Sequence, residues 1–347
     1  MLRKIASLGA LISVLAGGMA AAEDYPRTIR LGDVGFGFGT PYGVSLQAVA
    51  DAKGFIAEEF AGTGVQLEWT YFTGTGPAIN EAFANKQLDF ASYGAVPNIV
   101  GKAAGLDTVI LASTQGTNIF AVARPDAGIR TLADLKGKKV ALQKATIIHW
   151  AALEALKKAG VEPGDFTLVD LKNADQLAAI TAGSVDAVFG ADFLLPLEEK
   201  GVAKVIFSSA RDDADASGFG GFLVSRDFRD AYPEATQKVV DGYVHAAEWI
   251  ADPANRDEVF QIWSRAGTPV PLIARSNADT DFKQAFNPRL DGEFQKRYRS
   301  ALDFSVAQKL VRRAPDLTEW ADPSFLDNAL KQKGRDALWP ERRGNAS

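Results

Sequence analysis

Residues 131–160 read TLADLKGKKVALQKATIIHWAALEALKKAG, and residues 183–192 read GSVDAVFGAD. The first stretch opens on Thr131 with Asp134 three residues later, a spacing at which hydroxyl and carboxylate satisfy free backbone donors at a helix start. A basic turn, Lys136 to Lys139, leads into a short apolar strand, Val140 to Leu142. Gln143-Lys-Ala-Thr146 ends that strand and opens a helix running to Gly160. Strand, turn and helix in this order aim backbone N–H groups and the positive helix end at whatever lies beside Thr146. Gly183 to Asp192 adds another strand and a carboxylate able to face the same space. Such a segment is suited to holding a small solute.

Outward from this block, strand and helix patterns alternate from residue 28, the mark of an α/β architecture with largely parallel sheets. Thr28 to Val34 reads as a strand followed by a glycine-rich turn, residues 35–39, that contains Phe36 and Phe38. Val44 to Phe60 is helical, Val65 to Tyr71 is a strand, and Phe72 to Pro77 turns into a helix over 78–86. Pro77 suits the first helical position, where its missing N–H costs nothing. Leu88 to Ser92 is a strand, and Tyr93 to Pro97 turns into another helix. Thr108 to Ser113 is a further strand, with Gln115, Thr117 and Asn118 just beyond it and Ile119 to Ala123 after them. Ala203 to Phe207 and Phe222 to Ser225 repeat the strand pattern. From Tyr232 the chain turns helical, with Val239, Val240, Tyr243, Ala246, Ala247 and Ile250 at the spacing of one face. Ala285 to Arg313 reads as a second helical stretch after Asn287-Pro288, and no internal repeat appears along the chain.

One α/β block is therefore inserted between two crossings, near Phe120 to Arg124 and near Asp215 to Gly221. Residues 23–120 and 221–347 would form one lobe and residues 121–220 the other. Two lobes joined by two strands make a hinge that closes around a ligand. In open α/β sheets the ligand sits beyond the carboxyl ends of the strands. The expected fold is thus mixed sheets flanked by helices, with a cleft between lobes.

Composition narrows the chemistry. Residues 1–22 begin with Arg3-Lys4, continue apolar and small, and end in Ala20-Ala-Ala22, which reads as a signal peptide cleaved after Ala22. The net charge of −5 is spread without a basic stripe, so nucleic acid is not an expected partner. The absence of cysteine among 347 residues excludes thiolate chemistry, disulfides and a lipid anchor on cysteine. His149 and His245, the two histidines, have no second histidine at ligand spacing, and neither metal nor cofactor is expected. No nucleophile elbow, phosphate loop, zinc-protease helix or calcium loop occurs, which argues against an enzyme.

Several polar and glycine-rich turns are candidate ligand contacts, each with an ordinary structural alternative. Thr73, Thr75 and Gly76 precede a helix, where they either approach a ligand or merely cap it. Gln115, Thr117 and Asn118 are polar lining or simply loop. Lys144 with Thr146 would neutralise and hydrogen-bond an anion, or be a solvated lysine and an N-cap. Asp192 either caps the next helix or orients a donor in the pocket. Phe36, Phe38 and Phe219 are candidates for an apolar wall.

The order of Ala95-Val-Pro-Asn98, Lys102 to Gly105, Asp134 to Val140, Ala155 to Gly160 and Gly183 to Ala187 resembles the periplasmic aliphatic-sulfonate, nitrate and taurine-binding proteins of ABC importers. The resemblance runs from about Thr28 to about Leu330 and implies a type II periplasmic-binding fold. It also implies a periplasmic, monomeric shuttle that delivers a small organic anion to a permease with its ATPase subunit. Ligand contacts carry over onto Thr75, Gly76, Pro77, Gly94, Ala95, Lys144, Thr146, Ile147 and Asp192. Where the sulfonate branch has Gly-Ser, this chain has Ala145-Thr146, and Trp-Asp-Pro-Tyr becomes Ala191-Asp192-Phe193-Leu194. These departures suggest a larger or partly aromatic ligand. An enzyme on the same fold, of thiamine-pyrimidine-synthase or lyase type, and a sensing module for a membrane receptor are the alternatives.

Overall fold

Ile29 and Leu31 alternate with more exposed residues along Thr28–Val34 (β1), so one face of this strand drives it into the interior. The computed structural model describes residues 25–37, 40–332 and 334–343, with Gln115 and Gly116 described through their backbone. The signal-peptide reading of residues 1–22 and the wall residue Phe38 lie outside the described residues. In chain order the other strands are Gln66–Phe72 (β2), Phe90–Gly94 (β3), Thr108–Thr117 (β4), Phe120–Ala123 (β5) and Lys139–Leu142 (β6). Thr167–Asp170 (β7), Ala187–Gly190 (β8), Lys204–Ser208 (β9) and Gly218–Ser225 (β10) complete them.

They form two five-stranded sheets, ordered β2-β1-β3-β10-β4 and β7-β6-β8-β5-β9. In the first, β1 runs parallel to β2 and β3, while β10 lies antiparallel between β3 and β4. In the second, β6 runs parallel to β7 and β8, while β5 lies antiparallel between β8 and β9. Each sheet therefore has three parallel strands whose carboxyl ends share one edge, the arrangement that leaves a crevice there.

The two connections between the sheets lie side by side. The amide of Ile119 donates to Ser209 Oγ (2.9 Å), and the Ser209 amide donates back to the Ile119 carbonyl (2.8 Å). Asn118 Oδ1 accepts from Ser208 Oγ (3.2 Å), Ser209 Oγ (2.8 Å) and the Ala210 amide (3.0 Å). Its Nδ2 donates to the Ser276 carbonyl (2.9 Å) in the C-terminal helices.

Helices Leu46–Lys53 (α1), Phe55–Glu59 (α2), Thr75–Ala84 (α3), Ala95–Ala103 (α4), Ile147–Lys158 (α5) and Asn173–Thr181 (α6) flank the sheets. The helix expected over 44–60 breaks at Gly54, whose φ of 74° is left-handed and ends α1. Helix α3 begins at Thr75, so Pro77 is its third residue, not its first. No turn separates β3 from α4, because Ala95 follows Gly94 directly into the helix. Strand β4 extends to Thr117, which makes Gln115 and Thr117 strand residues. The Thr131–Asp134 box is present and starts a 3-10 turn over Leu132–Leu135.

The expected apolar face of the helix Pro233–Ala251 is buried throughout, each of its six residues at or below 1% exposure. Burial of an aliphatic side chain of that size is worth roughly 1.5–3 kcal/mol, so this helix anchors the first sheet. Tyr243 adds a hydrogen bond from its hydroxyl to the Ser113 carbonyl (2.7 Å). The second helical stretch, Gly292–Ala307, follows Asn287-Pro288 as expected but ends before Arg313. Asp291 caps it by accepting from the Phe294 amide (3.1 Å). Among the described residues no helix is long and apolar enough to cross a membrane.

Candidate ligand-binding cleft

The carboxyl ends of the parallel strands of both sheets open onto one cavity of about 150 Å³. From the first sheet come Asp33 and Val34 after β1, Thr75 and Gly76 beyond β2, and Tyr93 and Gly94 ending β3. From the second come Gln143, Thr146 and Ile147 after β6, Asn173 beyond β7, and Ala191 and Asp192 after β8. A cavity of about 150 Å³ is the size that accepts a benzene ring. The two sides meet at Phe36 and Phe193, whose rings stack at 5.9 Å and 22°. They also meet at Gly94, where a Cβ would lie 2.8 Å from Ile147 Cβ.

Most of the residues singled out in the sequence lie in this cavity. Phe36, Thr75, Gly76, Gly94, Thr117, Asn118, Thr146, Ile147, Asp192 and Phe219 line it. Four are elsewhere or differently engaged. Thr73 is exposed and outside the lining, and Ala95 is buried behind it. Lys144 is exposed and outside the lining, while its amide donates to Asp170 Oδ1 (2.9 Å). Gln115 stands in β4 opposite Phe219 of β10.

Thr146 is an N-cap, as one of its two readings required. Its Oγ1 accepts from the His149 amide (3.3 Å) and donates to the Gln143 carbonyl (2.7 Å). The amides of Ile147 and Ile148 at the start of α5 have no partner of the intrahelical kind, since the first turn of any helix lacks them. The backbone is unusual at the first residue of α3 and just ahead of the cap of α5. Thr75 and Ala145 both have φ of 57°, a left-handed conformation that costs a residue with a Cβ about 1 kcal/mol. His149 sits edge-on to Phe304, and burial pushes its imidazole down to about 4, so it stays neutral and outside the lining.

The electrostatics of the cavity were not foreseen. Among the described lining residues the carboxyl groups are Asp33 and Asp192, and none is Lys, Arg or His. Asp33, 3% exposed, accepts from Ser45 Oγ through Oδ2 (2.5 Å) and from the Val34 amide through Oδ1 (2.8 Å). Desolvation still pushes it up to about 7, against the lowering effect of those hydrogen bonds. Asp192, 8% exposed, is pushed up to about 6 by desolvation, and its Oδ2 has no hydrogen-bond partner. Thr75 Oγ1 and Asn173 Oδ1 are likewise buried without one. Arg297 approaches from outside, its guanidinium 4.3 Å from the Phe219 ring, but it donates to the Ser217 carbonyl (2.7 Å) and hydroxyl (3.1 Å).

The sequence reading missed Asp33, Ser45, Gln47, Trp263, Asn277 and Phe286, all of which line the cavity. Trp263 donates through Nε1 to the Ser45 carbonyl (2.9 Å), which ties the C-terminal helices to the start of α1. Gln47 donates from Nε2 to Ser92 Oγ within the wall. Among the described residues no group of three acidic, histidine or cysteine side chains could hold a metal ion.

Comparison with known proteins places this geometry. The model of the family described as NMT1/THI5 like matches residues 46–255. A "Putative aliphatic sulfonates-binding protein" of Bacillus subtilis strain 168 is 25% identical over 334 residues, covering 94% of this chain and 96% of its own. The solved "putative sulfonate ABC transporter, periplasmic sulfonate-binding protein SsuA" of Methylobacillus flagellatus KT is 27% identical, with a TM-score of 0.80 over 92% of this chain and 98% of that one. The 2'-hydroxybiphenyl-2-sulfinate desulfinase of Rhodococcus erythropolis is 26% identical over 162 residues, 45% of this chain and 42% of its own. The fold is that of the periplasmic binding proteins, and the chain belongs to the NMT1/THI5-like family.

Proposed function

We propose that this chain is the periplasmic solute-binding component of an ABC importer. It captures a small organic anion of sulfonate type between two closing lobes and hands it to a permease with its ATPase subunit. The lobes are about residues 23–120 with 221–347, and about residues 121–220, Phe120 pairing within the second sheet and Gly218–Gly220 within the first, in a monomer exported by cleavage after Ala22. The observation that carries this reading is the cavity to which the strand ends of both sheets contribute, with Phe36 of its lining stacked on Phe193 from the other side. Likeness along nearly the whole chain to sulfonate-binding relatives supports it. Amides at the starts of α3 and α5 would hold the anionic end, because the positive helix termini favour negative charge there. Phe36, Phe219, Trp263 and Phe286 supply an apolar wall for the remainder.

The reading is non-catalytic. A desulfinase shares part of the sequence pattern, yet this chain has no cysteine, and His149 is not in the cavity lining. The test is calorimetric titration of the chain from Glu23 onward with sulfonates and carboxylates of graded size, with native mass spectrometry of the protein as isolated. Binding without turnover is expected. Turnover of a bound solute, or no binding by any member of the series, would sink the proposal.

A further inference from the structure

An anion-binding cleft would ordinarily gather positive charge, yet the described lining holds no lysine, arginine or histidine. Its carboxyl groups are Asp33 and Asp192, so an anionic solute meets like charge wherever these are ionised. A proton taken from water is the smallest agent that offsets such repulsion. The surroundings of Asp33 favour one there. From α1, Asp51 adds a negative charge that opposes ionisation of Asp33. The phenols of the neighbouring elements are engaged elsewhere: Tyr71 of β2 donates to Asp51 Oδ2 (2.7 Å), Tyr42 to the Ala48 carbonyl (2.9 Å) and Tyr243 to the Ser113 carbonyl (2.7 Å). Arg265 is exposed, 5.4 Å from the Tyr42 ring, and acts on Tyr42 and Asp51. Desolvation is the largest influence on Asp33 and holds it up at about 7, so the solute-free protein near neutrality is divided between two forms.

The geometry around Asp33 gives that proton a second effect. Gly43 of the following turn approaches closely, for a Cβ there would lie 2.7 Å from Asp33 Oδ2. Oδ1 accepts from the Val34 amide (2.8 Å), and Oδ2 accepts from Ser45 Oγ (2.5 Å). Ser45 is only partly buried and lines the cavity beside Asp33. Its Oγ also accepts from the Ala48 amide (3.0 Å) as the cap of α1. In this arrangement the serine hydrogen is directed at the carboxylate and away from a solute. A hydroxyl has one hydrogen to donate and two sites at which to accept. When Asp33 carries a proton on Oδ2, that proton donates to Ser45 Oγ and fills the second accepting site. The serine hydrogen is then free to turn into the cavity. One proton removes a negative charge and converts a hydroxyl aimed at a carboxylate into a donor for the solute.

We propose that an anionic solute binds together with one proton, which Asp33 holds and which turns the Ser45 hydroxyl toward the solute. This rests on the solute-binding reading above and adds the regulation of its site: the cleft loads anions more tightly in acid and releases them more readily as pH rises. The proton comes from water, resides on Asp33 Oδ2 while the solute is bound, and returns to water when it leaves. No other bond forms or breaks.

The test uses propane-1-sulfonate and benzenesulfonate, which stay ionised throughout the working range and take up no proton themselves. Each is titrated calorimetrically into the chain from Glu23 onward between about pH 5.5 and about pH 8.5. Buffer pairs of unlike ionisation enthalpy report the protons taken up. Affinity is expected to be level below about pH 6 and to fall by up to about tenfold per unit above about pH 7, with up to about one proton bound per solute. In Asp33→Asn the amide donates to Ser45 at every pH. The slope and the proton uptake are expected to vanish there, and binding at about pH 8.5 to exceed the parent's by about tenfold or more. Ser45→Ala is expected to weaken binding by roughly tenfold even at about pH 6, because the donor itself is gone. Undiminished binding by a folded Ser45→Ala protein overturns the role of Ser45. Parent affinity independent of pH, or binding without proton uptake, overturns the inference and leaves the importer reading standing. A slope that survives in a folded Asp33→Asn protein overturns the role of Asp33. Failure of both sulfonates to bind at every pH overturns the inference, whereas the importer reading falls only if the wider series also fails. The pH series on the parent protein needs no variant, so a misfolded substitution does not remove the test.

Discussion

Replacing Asp192 with asparagine should stabilise the solute-free protein at neutral pH and lose that advantage in acid. Burial raises this carboxyl from its ordinary 3.8 to about 6. The folded chain therefore holds a proton that the unfolded chain has released, and deprotonation acts against folding. The carboxyl contributes fully below about pH 3.8, and that contribution is lost as pH rises through about 6. At about 1.4 kcal/mol for each pH unit between the two values, the native state carries a penalty of about 3 kcal/mol above pH 6. The asparagine amide is isosteric and uncharged, and its own incomplete hydrogen bonding would return about 1–2 kcal/mol of that. A net gain of about 1–2 kcal/mol corresponds to a rise in melting temperature of about 2–5 °C for a chain of this size. Thermal unfolding of parent and variant should be followed by circular dichroism between about pH 4.5 and about pH 8. The two curves should converge at the acid end and separate through the region near pH 6. A difference independent of pH, or a variant less stable at the alkaline end, would show that Asp192 is paired in solution and that the electrostatic argument fails.

Three further perturbations have definite outcomes. Asn118→Ala removes an acceptor shared by Ser208, Ser209 and Ala210 together with a donor to Ser276; unfolding in urea should show a loss of about 2–4 kcal/mol, and a loss within error would mean the crossings are held elsewhere. Gly94→Ala places a Cβ 2.8 Å from Ile147 Cβ. Overpacking of this kind costs about 1–3 kcal/mol and here should weaken solute affinity more than stability, as calorimetry beside thermal melting would reveal. Ala145→Gly relieves a residue held at φ 57°; it should leave stability unchanged or raise it by up to about 1 kcal/mol, and a marked loss in thermal melting would contradict that backbone assignment.

Much of the architecture was legible because local chemistry and global fold agree. The Thr131–Asp134 box, the cap at Thr146 and the apolar face from Val239 to Ile250 each state their structure in the spacing of a few residues. Boundaries failed where a single residue set the backbone: Gly54 split one helix, and the cap at Asp291 fixed the start of another. The cavity was half legible. Turns beyond parallel strands pointed to Thr75, Thr146 and Asp192, and the family resemblance to Gly94, which all line it. Trp263, Asn277 and Phe286 were not, since Trp263 lies in a helix whose sequence reports only burial and the other two just follow short helices, and only the folding of the C-terminal part over the first sheet brings them to the cleft. Asp33 did leave a trace. It occupies the same face of β1 as Ile29 and Leu31, and an acid at a core-facing strand position is a local contradiction. Lys144 misled in the opposite way, because proximity in sequence to a helix start does not fix where a long side chain goes.

The stacked rings of Phe36 and Phe193 bear on kinetics more than on affinity. They join elements that follow strands of opposite sheets, beside a cavity that Phe36 lines, so parting the two sides means parting the rings. Separating an aromatic pair forfeits about 0.5–1.5 kcal/mol beyond its buried area, which slows escape by a small but multiplicative factor. At that size the contact lengthens the stay of a loaded solute by roughly two- to tenfold, so it biases the carrier toward holding its load without locking it.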